Sequence, residues 1–238
     1  MDQSEGRERS EPSDKQEAFN EFIDSTLVRK AELDIQGEFK NDKAKSDHFQ
    51  KHLFFVTMHM KTGIFPKKDV RSTYVGNPIF QAYKAWYLAK CEEAMGWKFN
   101  KMINHQPFSI AFLDVEGTRY ARAPSTFQIP HIHALFLAGS RNTDQFIELY
   151  ESGKMKRYSD PRISGIDIQR FSDDGRGTGP LTSYAAKLAR GNLNLNGAKV
   201  DMDFEFYPDV AAHKYELYRS ETTARKQHRQ HSRTYQRI

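Results

Sequence analysis

The sequence holds a single cysteine, Cys91. That excludes an internal disulfide and a zinc site built on several thiolates. No run of eighteen apolar residues occurs, which argues against a transmembrane helix. The opening stretch Met1–Ser10 lacks the apolar segment of a secretory signal. These absences lead to the expectation of a cytoplasmic protein without a membrane partner. There is no Gly-x-x-x-x-Gly-Lys motif, so a fused helicase of the Walker type is not expected. Internal repeats and long low-complexity segments are missing as well.

What is present is aromatic and charged. With 17 Phe and 11 Tyr in 238 residues, the chain can build the core of one domain of moderate size. The net charge of +5 hides an asymmetry. Residues 1–50 carry 13 acidic and 8 basic side chains, whereas residues 51–238 carry 18 acidic and 28 basic. A basic body suits a polyanionic partner, because each phosphate neutralised releases counterions. A plain solvated basic surface would show the same balance.

Apolar spacing predicts the elements. Phe19, Phe22, Ile23 and Leu27 mark one side of a helix over residues 15–32, which either packs on the body or acts apart from it. Residues 39–50 read as a linker or frayed helix. Leu53–Met60 reads as a buried strand, and Pro78 and Gly96 bracket a helix over residues 78–95. Phe108–Glu116 and Pro130–Leu137 read as antiparallel neighbours. Thr143 is a candidate cap for a helix containing Phe146 and Leu149. Ile163–Phe171 and Asp201–Tyr207 read as further strands, and a helix containing Tyr184 is expected between them. The order β-α-β-β-α-β-α predicts an α+β fold, a central antiparallel sheet with helices packed on one side.

Two motifs carry chemistry. In Pro130-His131-Ile132-His133, strand alternation puts both imidazoles on one face and Ile132 in the core. Two imidazoles placed so can share one metal ion. In Tyr184-Ala185-Ala186-Lys187, helical spacing puts a phenol and an ammonium on one face. A second Tyr-x-x-Lys, Tyr87–Lys90, lies upstream of the histidines and reads as part of a core helix. His59 lies where it could approach the site but reads rather as a satisfied core or edge histidine, His105 as a surface residue, and Cys91 as a packing residue.

Taken in order, these pieces resemble the HUH endonucleases, the rolling-circle replication initiators of plasmids, phages and prophage-like elements. The resemblance covers about residues 50–192. The family's apolar first motif is similar to Phe54-Phe55-Val56-Thr57, its His-hydrophobic-His motif to His131-Ile132-His133, and its catalytic helix to Tyr184–Lys187. The resemblance implies a ferredoxin-like palm resembling that of RNA-recognition modules. It implies Mg²⁺ or Mn²⁺ held by His131, His133 and an acidic residue of the preceding strand. Glu116 is the best match there, with Asp114 as its rival. Tyr184 would be the nucleophile and Lys187 its charge partner. Where two-tyrosine members carry a Tyr directly after the Lys, this chain has Leu188, so a one-tyrosine enzyme is implied. On this reading residues 1–49 are a polar, helical, partly disordered extension, 50–218 the endonuclease domain, and 219–238 a basic tail. The implied partners are single-stranded DNA or an origin hairpin, and a host helicase and polymerase. Tyr74 and Phe171 are candidates for stacking on bases.

Three rivals stand beside this reading. A single-tyrosine transposase of the same superfamily would share the chemistry. A non-catalytic nucleic-acid-binding α+β domain would need neither metal nor Tyr184. A zinc hydrolase would use His131 and His133 with a metal-bound water and form no covalent adduct.

Overall fold

The computed structural model describes residues 14–61, 78–115, 130–173, 178, 193–195, 198–200 and 204–208. Two helices, α1 (Asp14–Ile35) and α2 (Asp42–His52), lead into strand β1 (Leu53–Met60). Then follow α3 (Pro78–Met95), β2 (Phe108–Val115), β3 (Pro130–Leu137), α4 (Thr143–Glu151) and β4 (Ile163–Arg170). A short hairpin, β5 (Leu193–Leu195) and β6 (Ala198–Val200), precedes β7 (Phe204–Tyr207). The main sheet has the order β4-β1-β3-β2-β7, and every pairing in it is antiparallel. Strands β1 to β4 with α3 and α4 form the β-α-β-β-α-β unit in the order 4-1-3-2, the split-βαβ connectivity. β7 extends it beside β2. The α+β sheet expected from sequence is the observed fold.

The local chemistry explains the boundaries. Asn41 caps α2, its Oδ1 accepting from Ala44 N at 2.9 Å, with Asp42 in the first turn and Lys51 and His52 in the last. The segment read as a linker or frayed helix is therefore a capped helix. It passes straight into β1, where Ala138 N donates to His52 O and Phe171 N to Leu53 O, both at 2.9 Å. Gly96 ends α3 at φ +80°, a left-handed turn that a side chain would strain. For α4 the cap position is Asn142, not Thr143. The Thr143 hydroxyl donates to Gly139 O, one turn back, instead.

Helices cover both faces of the sheet, not one. α3 and α4 pack Tyr83, Trp86, Tyr87 and Phe146 against Phe54, Val56, Ile132, Phe136 and Ile168. On the opposite face, Ile23, Leu27 and Ala31 of α1 and Phe49 of α2 pack on Leu53, Phe55, Phe108, Ile110, Leu135 and Leu137. Spacing of four along α1 gives one buried stripe. Side chains this fully buried contribute about 1.5–3 kcal/mol each, so α1 and α2 belong to the packed body. That decides what the sequence left open. Among the described residues no helix is long and apolar enough to cross a membrane.

The α2–β1 junction carries a pH-dependent element. His52 is buried, its Nδ1 hydrogen-bonded to Thr143 Oγ1, and its ring stacks on His48 at 4.1 Å. Burial, reinforced by His48 and Lys51, pushes the His52 pKa down to about 4, and burial lowers that of His48 too. Between pH 6.5 and about 4 the unfolded chain therefore binds a proton that the folded chain refuses at His52, and stability falls with pH through that window. We expect the urea midpoint of His52→Asn to depend less on pH across this range than that of the wild type. Parallel curves would show that His52 does not contribute.

Candidate functional site

The site grows from the β1–β3 register. Thr57 pairs with His133 and His59 with His131, while on its other side Thr57 pairs with Asp167 of β4. Directly paired residues share a face, so these five side chains form one polar patch. His133 is buried. Its Nδ1 lies 3.2 Å from Thr57 Oγ1, and its ring stacks on Phe55 with centroids 5.3 Å apart. These contacts aim Nε2 along the sheet, where it lies 3.1 Å from His131 Nε2. With Nδ1 protonated and donating to Thr57, Nε2 presents its lone pair. The His59 ring stacks against His131 at 6.0 Å, and its Nε2 meets Asp167 Oδ2 at 3.2 Å. Lys156 Nζ stands 4.0 Å from Asp167 Oδ1.

Two Nε2 atoms 3.1 Å apart have the separation of ligands that share one ion at about 2.1 Å each and meet near a right angle. The donor pair thus fits a divalent cation, with Thr57 as the outer partner that orients a ligand. Among the described residues, no three His, Cys, Asp or Glu side chains converge. Asp114 is the register partner of His131. Its rival Glu116, and both Tyr184 and Lys187, lie outside the described residues, as does Tyr74.

Sequence reasoning placed the histidine pair on one face and missed Thr57 and Asp167. His59 is a satisfied strand histidine beside the pair, bonded to Asp167, in line with the expectation. The missed signal was alternation shared between strands. Thr57-x-His59 repeats the spacing of His131-x-His133, the first near the end of β1 and the second at the start of its antiparallel partner β3, both otherwise apolar. Phe171 is not a stacking platform, because it is buried in the cluster under α1 and α2. Beyond it the chain is tied to the same two helices. The Ser46 hydroxyl bonds Asp173, and Thr178 Oγ1 donates to Asp24 Oδ1 at 2.9 Å.

The upstream Tyr-x-x-Lys is structural, as its position implied. Tyr87 and Lys90 lie on α3, across the sheet from the histidines. The Tyr87 hydroxyl donates to Pro107 O at 2.6 Å, and burial raises its pKa well above the ordinary phenol value. Lys90 is buried and donates to Glu93 Oε1 at 2.8 Å and Lys154 O at 2.9 Å. Cys91 is buried as expected, and burial pushes its thiol up to about 12, which leaves it unreactive. His105 is half-buried against Arg141 Nη1 at 3.2 Å.

Comparison with protein-family models, with curated proteins and with solved structures found no match. Function therefore rests on the chemistry of the patch itself. For the upstream motif we expect Tyr87→Phe to cost about 1–3 kcal/mol in urea unfolding, because Pro107 O loses its buried donor. The imidazole NMR signals of His131 and His133 should stay in place. A shift in those signals without loss of stability would contradict the structural assignment.

Proposed function

We propose that this chain nicks and rejoins single-stranded DNA through a tyrosine nucleophile, as a one-tyrosine HUH endonuclease that initiates rolling-circle replication. The observation that carries the reading is the convergence of His131 Nε2 and His133 Nε2 at 3.1 Å on the polar end of a split-βαβ sheet. Two neutral imidazoles at this distance can share a hydrogen bond, and the same separation suits two nitrogens on one divalent cation. The motif order in the sequence adds Tyr184 and Lys187 downstream.

His131 and His133, with a carboxylate from Glu116 or Asp114, would hold Mg²⁺ or Mn²⁺. Such an ion, when bound, withdraws charge from a non-bridging phosphate oxygen. The protein's own groups supply the rest. With the His133 proton on Nδ1 and given to Thr57 Oγ1, Nε2 would be left with its lone pair for the ion. Phe55 fixes the plane of that ring. The Tyr184 hydroxyl would give up its proton to solvent, its phenolate favoured by the charge of Lys187. Its oxygen bonds to phosphorus as the bond from phosphorus to the 3′ oxygen breaks. The products are a 5′-phosphotyrosine link and, once the departing oxygen takes up a proton, a 3′-hydroxyl. The link preserves the bond energy for rejoining, and the 3′-hydroxyl can prime a host polymerase.

The test is incubation with labelled single-stranded fragments from the flanks of its own coding region, with Mn²⁺ or EDTA, resolved on a denaturing gel. We expect a covalent protein–DNA adduct with Mn²⁺ that vanishes with EDTA, in Tyr184→Phe and in His131→Ala. Thr57→Val should weaken Mn²⁺ affinity about 10- to 100-fold, the usual cost of losing an outer partner. Of Glu116→Gln and Asp114→Asn, the one that abolishes the adduct names the third ligand. Cleavage without an adduct would point to a metal-bound water, and binding without cleavage to a non-catalytic module. An adduct at a DNA end that is then joined to a target would mark a transposase.

A further inference from the structure

The edge strand β4 carries a second feature beside the histidine patch. Between α4 and β4 runs Lys154-Met155-Lys156-Arg157-Tyr158, three cations and an aromatic around one apolar residue. Met155 is fully buried, and both of its neighbours are exposed lysines. The backbone of this turn is held from α3. Trp86 Nε1 donates to Met155 O at 3.0 Å and Lys90 Nζ to Lys154 O at 2.9 Å, both donors coming from buried side chains. Gly153, at φ +71°, sets the turn's entry in the left-handed region. A surface turn pinned by two buried donors presents its side chains from a fixed platform.

Its position links it to the site. The exposed Tyr158 ring is fastened by its hydroxyl, which donates to Ser164 O of β4 at 2.8 Å. Ser164 adjoins Gly165, the register partner of His59. Lys156 reaches Asp167, Asp167 bonds His59, and His59 stacks on His131. Lys61, exposed at the end of β1, donates its backbone N–H to Arg162 O on the same border. The acidic groups there are engaged: Asp160 pairs with Arg162 at 2.6 Å, and Asp167 with His59 and Lys156.

The geometry points to this turn as a binding surface for single-stranded nucleic acid, with backbone phosphates on Lys154, Lys156 and Arg157 and one base stacked on Tyr158. Cations that track a backbone, interleaved with a flat exposed ring, are what an unpaired strand requires and a duplex does not. The inference deepens the proposed function, because it names the side from which the strand enters the histidine patch. It also explains the buried charge of Lys90, which the nucleophile chemistry does not use.

The test is fluorescence anisotropy of the full chain with a labelled mixed-sequence single strand in EDTA, over a range of salt concentrations. The double variant Lys156→Ala/Arg157→Ala should reduce the slope of log affinity against log salt by about 1.4, since each phosphate contact on a single strand contributes about 0.7. Tyr158→Ala should lose about five-fold or more in affinity with its salt slope unchanged, and Tyr158→Phe, which keeps the ring but loses its tether to Ser164 O, should fall between Tyr158→Ala and wild type. Circular dichroism melts confirm that each variant folds. Wild-type affinity and slope in both alanine variants, alongside normal adduct formation, would overturn this surface and leave the nuclease reading standing. A wild-type chain that binds no single strand would overturn both.

Discussion

The register of β1 on β3 is the constraint on which the rest of the site depends. It sets Thr57 opposite His133 and His59 opposite His131. Because side chains alternate with a period of two, a slip of one residue would send Thr57 and His59 to the α3 side and Met58 and Met60 to the histidine side. Such a slip is costly here. Phe54, Val56 and Met58 on one face and Leu53 and Phe55 on the other are all buried, so both helical layers enforce the same alignment. The strand pair is thus fixed from above and below, and the imidazoles inherit that rigidity. No loop has to be ordered to bring the two Nε2 atoms together.

The two faces divide the labour. Under α3 and α4 the apolar cluster runs along the strands from Phe54 to Met60. Under α1 and α2 the cluster runs from Leu53 only as far as Phe55 and Phe112, which flank His133 in the register. Past that row the same face becomes polar, with Thr57, His59, His131 and Asp167. The histidine pair sits on this border. His133 is on the dry side, stacked on Phe55, and His131 is on the more exposed side. One ring of the pair is thus held by packing while the other stands nearer the solvent.

Much of this was legible in the sequence, and the limits have physical causes. The strands at 53–60 and 130–137 stood out because an apolar run with β-branched and aromatic residues has one economical conformation. The α3 boundaries stood out because Pro78 and Gly96 constrain φ. The charged α2 did not. Its helix is stabilised by the Asn41 cap and by the burial of Phe49, and only the cap is a local signal. Helices on the second face were unforeseen, since a single stripe on α1 does not say which surface it meets. In the site, the histidine pair was readable because both imidazoles lie on one strand. Thr57 and Asp167 were not, because their meaning arises only when three strands are aligned. Lys90 shows the reverse. Its motif matched a catalytic pattern, and its burial across the sheet gives it a structural task.

The ties beyond β4 bear on which face of the sheet the chain follows next. After Arg170 the chain can leave the sheet toward α3 and α4 or toward α1 and α2. Phe171 commits it to the second side by inserting into the cluster with Leu27 and Phe49. Ser46 then holds Asp173, and Asp24 holds Thr178. The chain is thereby delivered to the face that carries His131 and His133. From Thr178, six residues of extended chain span at most about 20 Å, which bounds the distance of Tyr184 from that tie. Tyr87 has no such route, because the whole thickness of the sheet separates it from the imidazoles. On this view α1 and α2 do more than close a core. They hold Asp173 and Thr178, and so tie the chain after β4 to the face that carries His131 and His133.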